Sequence, residues 1–113
     1  MTHLEFELII IADIVNEYPE YKEKLQKQLS FAVVKDRKLS TYGFSTDYII
    51  DTPNEVTLGN NIQLMLETDG WRVNELERGS GYILWIKNGL IHSLEGYSYE
   101  EPWPKEIIFC EKS

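Results

Sequence analysis

The sequence predicts one α+β domain, in which two N-terminal helices pack on an antiparallel sheet of about five or six strands. Its length of 113 residues suits a single domain over residues 1–113. Apolar residues recur at helical spacing in the N-terminal part of the chain. The remainder alternates apolar and polar residues in short runs between turn residues, which is typical of antiparallel strands.

The first predicted helix begins with capping-box spacing, because Thr2 stands three residues before Glu5. Apolar residues at helical spacing predict that it runs to about residue 17: Leu4, Leu8, Ile11, Val15 and Tyr18. Alternate positions between Leu4 and Ile10 are also apolar, so a strand start stays open. Pro19 predicts the end of this helix and the first turn of a second over residues 20–30.

Short apolar or alternating runs predict the strands of the sheet. They cover residues 31–34, with 37–40 as an extension or a connection, then 42–50, 56–58, 62–67, 71–73 and 107–110. Predicted turns separate them at residues 51–54, 59–61 and Asp69-Gly70. The run at 56–58 is expected to be an edge strand, and the run at 71–73 a return strand after a tight turn.

A hairpin over residues 82–97 is the strongest local pattern in the chain. Asn88-Gly89 lies between two apolar runs, and both residue types tolerate positive φ, so the pair predicts a two-residue type I′ turn. The resulting register places Trp85 opposite His92 and predicts a core face of Tyr82, Leu84, Ile86, Ile91, Ser93, Glu95 and Tyr97. The opposite face, which is expected to be partly exposed to solvent, then carries Ile83, Trp85, Lys87, Leu90, His92 and Leu94.

The hairpin and its flanks also carry a family resemblance. Gly81 to Gly89, Leu94 to Tyr99 and Trp103-Pro104, with Gly43 to Thr46 upstream, together resemble a group of short bacterial proteins. The resemblance implies no particular activity and no site residues. Some similar small acidic proteins are encoded beside secreted toxins as immunity partners, so an immunity role is an expectation that the resemblance adds.

The net charge indicates which classes of partner are plausible, and the cysteine content indicates the compartment. The formal net charge of −8 argues against nucleic acid, whose binding rests on Lys and Arg, and is compatible with a basic protein partner. The single cysteine, Cys110, suits a reducing cytoplasm. We expect no signal peptide, and the apolar run at residues 8–12 is too short for a membrane span.

No motif for a cofactor, a metal or catalysis is present in the sequence. Nucleotide-binding loops are absent, and His3 and His92 lack metal-ligand spacing. Cys110 with His92 could form a nucleophile and base, although a structural Cys and a surface His are the simpler interpretation. Glu95, expected on the core face, is interpreted as structural. The sequence therefore predicts no catalytic, cofactor-binding or metal-binding residue.

Aromatic and acidic residues concentrate around the hairpin and suggest a contact surface. Trp and Tyr are enriched at interface hot spots. The candidate partner contacts are Trp85, His92, Tyr97, Tyr99, Glu100, Glu101 and Trp103. The preferred hypothesis is a non-catalytic, bacterial protein-interaction domain that binds a basic partner, of which a toxin is one case. The alternatives are a small enzyme or ligand-binding domain with a pocket near Glu95 and His92, and a homodimer formed through an exposed strand or the hairpin face.

Overall fold

The computed structural model describes residues 1–51 and 53–113. Its elements in chain order are α1 (His3–Asn16), α2 (Lys22–Leu29), β1 (Ala32–Ser40), β2 (Gly43–Ile50), α3 (Pro53–Val56), β3 (Leu64–Val73), β4 (Ser80–Lys87), β5 (Leu90–Ser98) and β6 (Cys110–Lys112). The strands form one antiparallel sheet in the order β1-β2-β5-β4-β3-β6. Two N-terminal helices packed on an antiparallel sheet are the predicted fold class, which is confirmed.

Helix α1 begins as predicted but buries a different face. The Thr2 hydroxyl accepts from the Glu5 backbone amide, and the Glu5 carboxylate accepts from the Thr2 amide, which completes the capping box. The buried side chains are Phe6, Glu7, Ile10, Ile11, Ile14 and Val15, whereas Leu4 and Leu8 are exposed. Apolar residues surround most of this helix, so their spacing predicts a helix without determining which stripe meets the sheet. The alternative strand start is wrong.

Bulges allow two strands to continue, which confirms residues 37–40 as an extension of the first run and overturns the predicted turn at Asp69-Gly70. Strand β1 is continuous, with a register shift between Val34 and Asp36. Strand β3 runs through Asp69-Gly70, where Gly70 has φ 76° and the register shifts, so the predicted tight turn is absent. The predicted edge strand at 56–58 is also absent, since Val56 ends α3. The turn at 51–54 falls partly on residue 52, outside the described residues.

The hairpin turn is confirmed, but its register differs from the prediction. Asn88 and Gly89 both have positive φ, 53° and 76°. Ile86 pairs with Ile91, but a bulge then shifts the register, so Trp85 lies opposite Ser93 and not opposite His92. From Ser93 onward, every side chain of β5 therefore lies on the face opposite to the one predicted. Leu94 is therefore fully buried, whereas Glu95 and Tyr97 lie on the face that was expected to be wet.

The turn is held against the helices by a buried glutamine. Gln28 of α2 donates from Nε2 to the carbonyls of Val56 and Gly89, at 2.8 and 2.9 Å, and accepts from the Ile91 amide at 2.7 Å. A Cβ at Gly89 would lie 2.4 Å from Thr57 Oγ1, so this position accepts only glycine without rearrangement. These contacts fix the hairpin against the helical layer.

An aromatic cluster occupies the core between α1 and the sheet. Its members are Phe6, Phe44, Tyr82 and Trp103, with ring centroids 5.2 to 6.4 Å apart. Gly96 lets the Phe44 ring lie on the backbone of β5, because a Cβ there would stand 2.2 Å from that ring. Within the described residues, no helix has the length and apolar character needed to cross a membrane.

Candidate interaction surface

The two faces of the sheet have different surroundings. Helices α1 and α2 lie against one face, where the side chains of β4 are Tyr82, Leu84 and Ile86, all buried. In the part of the chain that the structure describes, no element covers the opposite face, which we call the open face. Its side chains follow from the strand register, because directly paired residues share a face.

Strand β4 carries the apolar centre of the open face. Trp85 is 36% exposed, and the paired Met65 of β3 is 50% exposed. Ile83 lies two residues along the strand from Trp85 and is half-buried. At Gly81 the Tyr97 ring fills the space of a side chain, since a Cβ there would stand 2.6 Å from it. We call Trp85, Ile83 and Tyr97, with Met65 beside them, the apolar seam.

Carboxylates flank the seam on both sides. Glu67 and Asp69 of β3 pair with Ile83 and Gly81, and Glu95 of β5 pairs with Ile83 from the other side. Farther out, Asp47 of β2 lies directly opposite Asp36 of β1. Like charges in direct cross-strand pairing are destabilising. Among the described residues only Asp36 in this group forms an ion pair, with Lys38 at 4.0 Å.

Tyr99 follows β5 and extends the seam from Tyr97 beyond the end of that strand. Their ring centroids are 5.6 Å apart in an edge-to-face arrangement, and the side chains are 38% and 39% exposed. Partial burial, the neighbouring Tyr99 and the carboxylates of Glu67 and Asp69 raise the pKa of Tyr97. Burial is the largest of these causes, and the two carboxylates of β3 are the smallest.

His92 reaches the open face because of the bulge in β5. It is the residue without a partner in the β4–β5 register, and it lines a shallow groove of about 350 Å³ with Trp85, Met65, Gln63 and Lys87. Glu95 lines a different groove, of about 330 Å³, beside Tyr97 and Ser45. The two residues expected to share a pocket therefore lie in separate shallow grooves.

Three other sequence candidates have structural partners. Trp103 is 7% exposed and packs in the aromatic cluster, so it contributes little surface. The Glu101 carboxylate accepts from the backbone amides of Glu77 and Arg78 at 3.1 and 2.7 Å, which orders that loop. Glu100 is exposed and pairs with Arg78 at 2.5 Å. The structure thus places Trp85 beside His92 and Tyr97 beside Tyr99 along the open face, and assigns the other three to loop or core contacts.

Sequence reasoning missed the contributions of β2 and β3 to this surface. Met65 and Glu67 were recognisable as the polar side of an alternating run, but the pairing of that run with β4 was not. Asp47 likewise lies in β2, which pairs with β1 on one side and on the other with β5, a strand that is distant in sequence. Only strand pairing brings these residues beside Trp85.

The helix-covered face contains its own charged cluster, centred on the fully buried Glu7. His3 Nδ1, Arg37 Nε, Thr46 Oγ1 and Tyr48 Oη lie 2.5 to 2.8 Å from its two carboxylate oxygens. Burial opposes ionisation of this carboxyl, but the hydrogen bonds outweigh that effect and lower the pKa of Glu7 to about 2. Every oxygen is paired and the side chain is inaccessible, so this cluster is a structural contact between α1 and the strands β1 and β2.

Neither face contains the constellation of a metal centre. Within residues 1–51 and 53–113, no three His, Cys, Asp or Glu side chains are grouped so as to hold a metal ion. Cys110 is half-buried, and burial raises the pKa of its thiol, which disfavours the nucleophilic thiolate. No protein-family model, curated protein sequence or solved structure matches the chain.

Proposed function

We propose that this chain is a non-catalytic protein-binding module that engages a basic partner through the open face. The observation that carries the proposal is the apolar seam centred on Trp85 and flanked by Glu67 and Glu95, which form no ion pair with any described residue. A sheet face with this much exposed apolar surface fits a docking site, and Trp and Tyr are the usual anchors of such sites. The net charge of −8 would steer a basic partner toward it.

The arrangement favours a partner of opposite charge over a second copy of the chain. Stacking two open faces would bring Glu67, Asp69 and Glu95 against the same residues of the other copy. Like-charge juxtaposition at an interface is unfavourable by several kcal/mol. A basic surface would instead neutralise these carboxylates. Among basic partners, the family resemblance favours a toxin held inactive in the bacterial cytoplasm.

The experiment is capture of the partner from a lysate of the source cells, followed by binding kinetics. The charge-reversal variant Glu67→Lys/Glu95→Lys should slow association and weaken its dependence on salt, because rim charges act on encounter. Trp85→Ala should accelerate dissociation, because a central anchor acts on the lifetime of the complex. The matched control is Glu20→Lys/Glu23→Lys, which makes the same change of net charge on the helical side of the molecule.

Kinetics that respond equally to the two double variants would show that only net charge matters, and would contradict the assignment to the open face. A partner whose dissociation rate is unchanged by Trp85→Ala would also contradict the assignment to the open face. Turnover of a small molecule that is lost only in Glu95→Gln would instead favour the enzyme hypothesis. That hypothesis has less support, since His92 and Glu95 lie in separate grooves.

A further inference from the structure

We propose that the element seated on the open face is an amphipathic helix of the partner, with Lys or Arg on both sides of its apolar stripe. This inference rests on the proposed function and specifies the recognition mode of the same surface. It follows from the position of the seam in the sheet, from the spacing of the flanking carboxylates and from the charges of the chain itself.

The position of the seam excludes an added strand as its occupant. Strand β4 pairs with β3 on one side and β5 on the other, so its backbone groups are already used in the ladders. Extended peptides gain main-chain hydrogen bonds only at a sheet edge. An extended segment laid over Trp85 would leave its own amides and carbonyls without partners where water is excluded. A helix satisfies its backbone internally and meets the seam with side chains alone.

The dimensions of the surface match those of a helix. Trp85, Ile83 and Gly81 with its covering Tyr97 ring follow each other at two-residue steps, about 6.6 Å apart along the strand. On a helix, residues i and i+4 lie on the same face and are about 6 Å apart along the axis. The carboxylate-bearing strands β3 and β5 lie on either side of β4, so they are roughly 9–10 Å apart. A helix with side chains is about 10–12 Å across, which places its two flanks over Glu67 and Glu95.

The helices that the structure describes in this chain do not meet these requirements. Helix α1 contains no Lys or Arg, and its exposed side chains include Leu4, Leu8 and Ile9. Helix α2 carries lysines, but its apolar Leu25 is buried against the sheet. The described residues of a second copy therefore offer no helix with an accessible apolar stripe and two basic flanks, which favours a segment of another protein as the occupant.

The test uses three synthetic 18-residue peptides and the full chain. The first has leucines on one helical stripe and lysines on both flanks; the second has the same composition in permuted order; the third has Glu in place of each Lys. Fluorescence anisotropy gives the dissociation constants, and circular dichroism reports helix formation on binding. The first peptide should bind at least roughly tenfold more tightly than either other peptide and become helical.

Two protein variants locate the binding. Trp85→Ala and Glu67→Lys/Glu95→Lys should each weaken binding of the first peptide at least roughly tenfold, while Trp85→Phe should restore most of it. Thermal melts establish that the variants fold. Equal binding of the ordered and permuted peptides, binding that ignores Trp85→Ala, or binding of none of the peptides would overturn the helix assignment. The proposed function is judged separately, by the partner kinetics of the same variants, and survives if those respond while the peptides do not.

Discussion

The two faces of this sheet use the same kinds of residue in opposite ways. On the helix-covered face, the buried carboxylate of Glu7 is surrounded by four donor side chains, and Trp103 lies in an aromatic cluster. On the open face, Glu67 and Glu95 have no basic partner among the described residues, and Trp85 is 36% exposed. The covered face pairs its charges and buries its aromatic rings, whereas the open face leaves carboxylates and apolar side chains exposed.

This difference shows how structural residues can be separated from functional ones on physical grounds alone. A buried charge is tolerated in a fold only when it is paired and hydrogen-bonded, as Glu7 is. Carboxylates gathered beside an exposed tryptophan bring no comparable benefit to folding. We therefore compare matched substitutions on the two faces. A substitution on the covered face should lower the free energy of unfolding strongly, and its counterpart on the open face should change it little.

The largest contrast is expected between two tryptophans. Trp103→Ala should lower the free energy of unfolding by roughly 3–5 kcal/mol, because it removes a buried ring from the aromatic cluster. Trp85→Ala should cost about 1 kcal/mol or less, because the side chain is already partly in water. Urea denaturation followed by circular dichroism measures both. A larger loss in Trp85→Ala would show that the seam is part of the core.

The hairpin offers a second pair at adjacent positions. Ile86 and Ile91 are each 2% exposed, so truncating either to Ala should cost roughly 2–5 kcal/mol. Lys87→Ala, next to Ile86 but on the open face, should change the free energy of unfolding by about 0.5 kcal/mol or less in either direction. Urea melts that rank Lys87→Ala as the most damaging would invert the assignment of the two faces.

The third pair compares two carboxylates. Glu7→Gln should cost about 1.5–3 kcal/mol at neutral pH, because charged hydrogen bonds to Arg37 and its neighbours are lost. Glu95→Gln should be neutral to within about 0.5 kcal/mol, since Glu95 has no charged partner among the described residues. Chemical denaturation at pH 7 measures both, and a substantial loss in Glu95→Gln would indicate that this residue is structural.

The pH dependence of stability sharpens the same comparison. The pKa of Glu7 is about 2 in the folded protein, below its ordinary value of 4.5. The folded state therefore binds this proton less readily than the unfolded state, so the stabilisation is complete above pH 4.5 and is lost as the pH falls toward 2. The stability difference between the wild type and Glu7→Gln should shrink over that interval. A constant difference across the interval would contradict the low pKa.

The smallest effect on stability is expected from the charge reversal that should matter most for binding. Glu67→Lys/Glu95→Lys should change the free energy of unfolding by less than about 1 kcal/mol, since both are surface sites. Its large effect should appear in binding, both in the association kinetics with the partner and in the affinity for the first peptide. Thermal melts of the variant, measured alongside the binding kinetics, distinguish an effect on stability from an effect on binding. A variant that fails to fold would show that Glu67 or Glu95 contributes to the stability of the fold.

Several features of the fold were determined by residues close together in sequence. The capping box at Thr2 and Glu5, the two-residue turn at Asn88-Gly89 and the alternation in strands β2 and β3 were all predictable. Each depends on backbone preferences or hydrogen bonds that act within a few residues. The fold class followed, because a helical N-terminal part and a series of short alternating runs admit few layered arrangements.

The composition of the open face depends on contacts between residues that are far apart in sequence. The predicted register would have buried Glu95 and exposed Leu94, and the bulge at His92 reverses both. Burying Leu94 gains roughly 1.5–3 kcal/mol of hydrophobic stabilisation, and an unpaired Glu95 stays out of the core. The sequence shows that a regular register would bury Glu95 and expose Leu94. It does not show where a bulge would shift that register, because the position of the bulge depends on how β5 pairs with β2 and β4. The pairing that brings Glu67 and Met65 beside Trp85 likewise exists only in the tertiary structure.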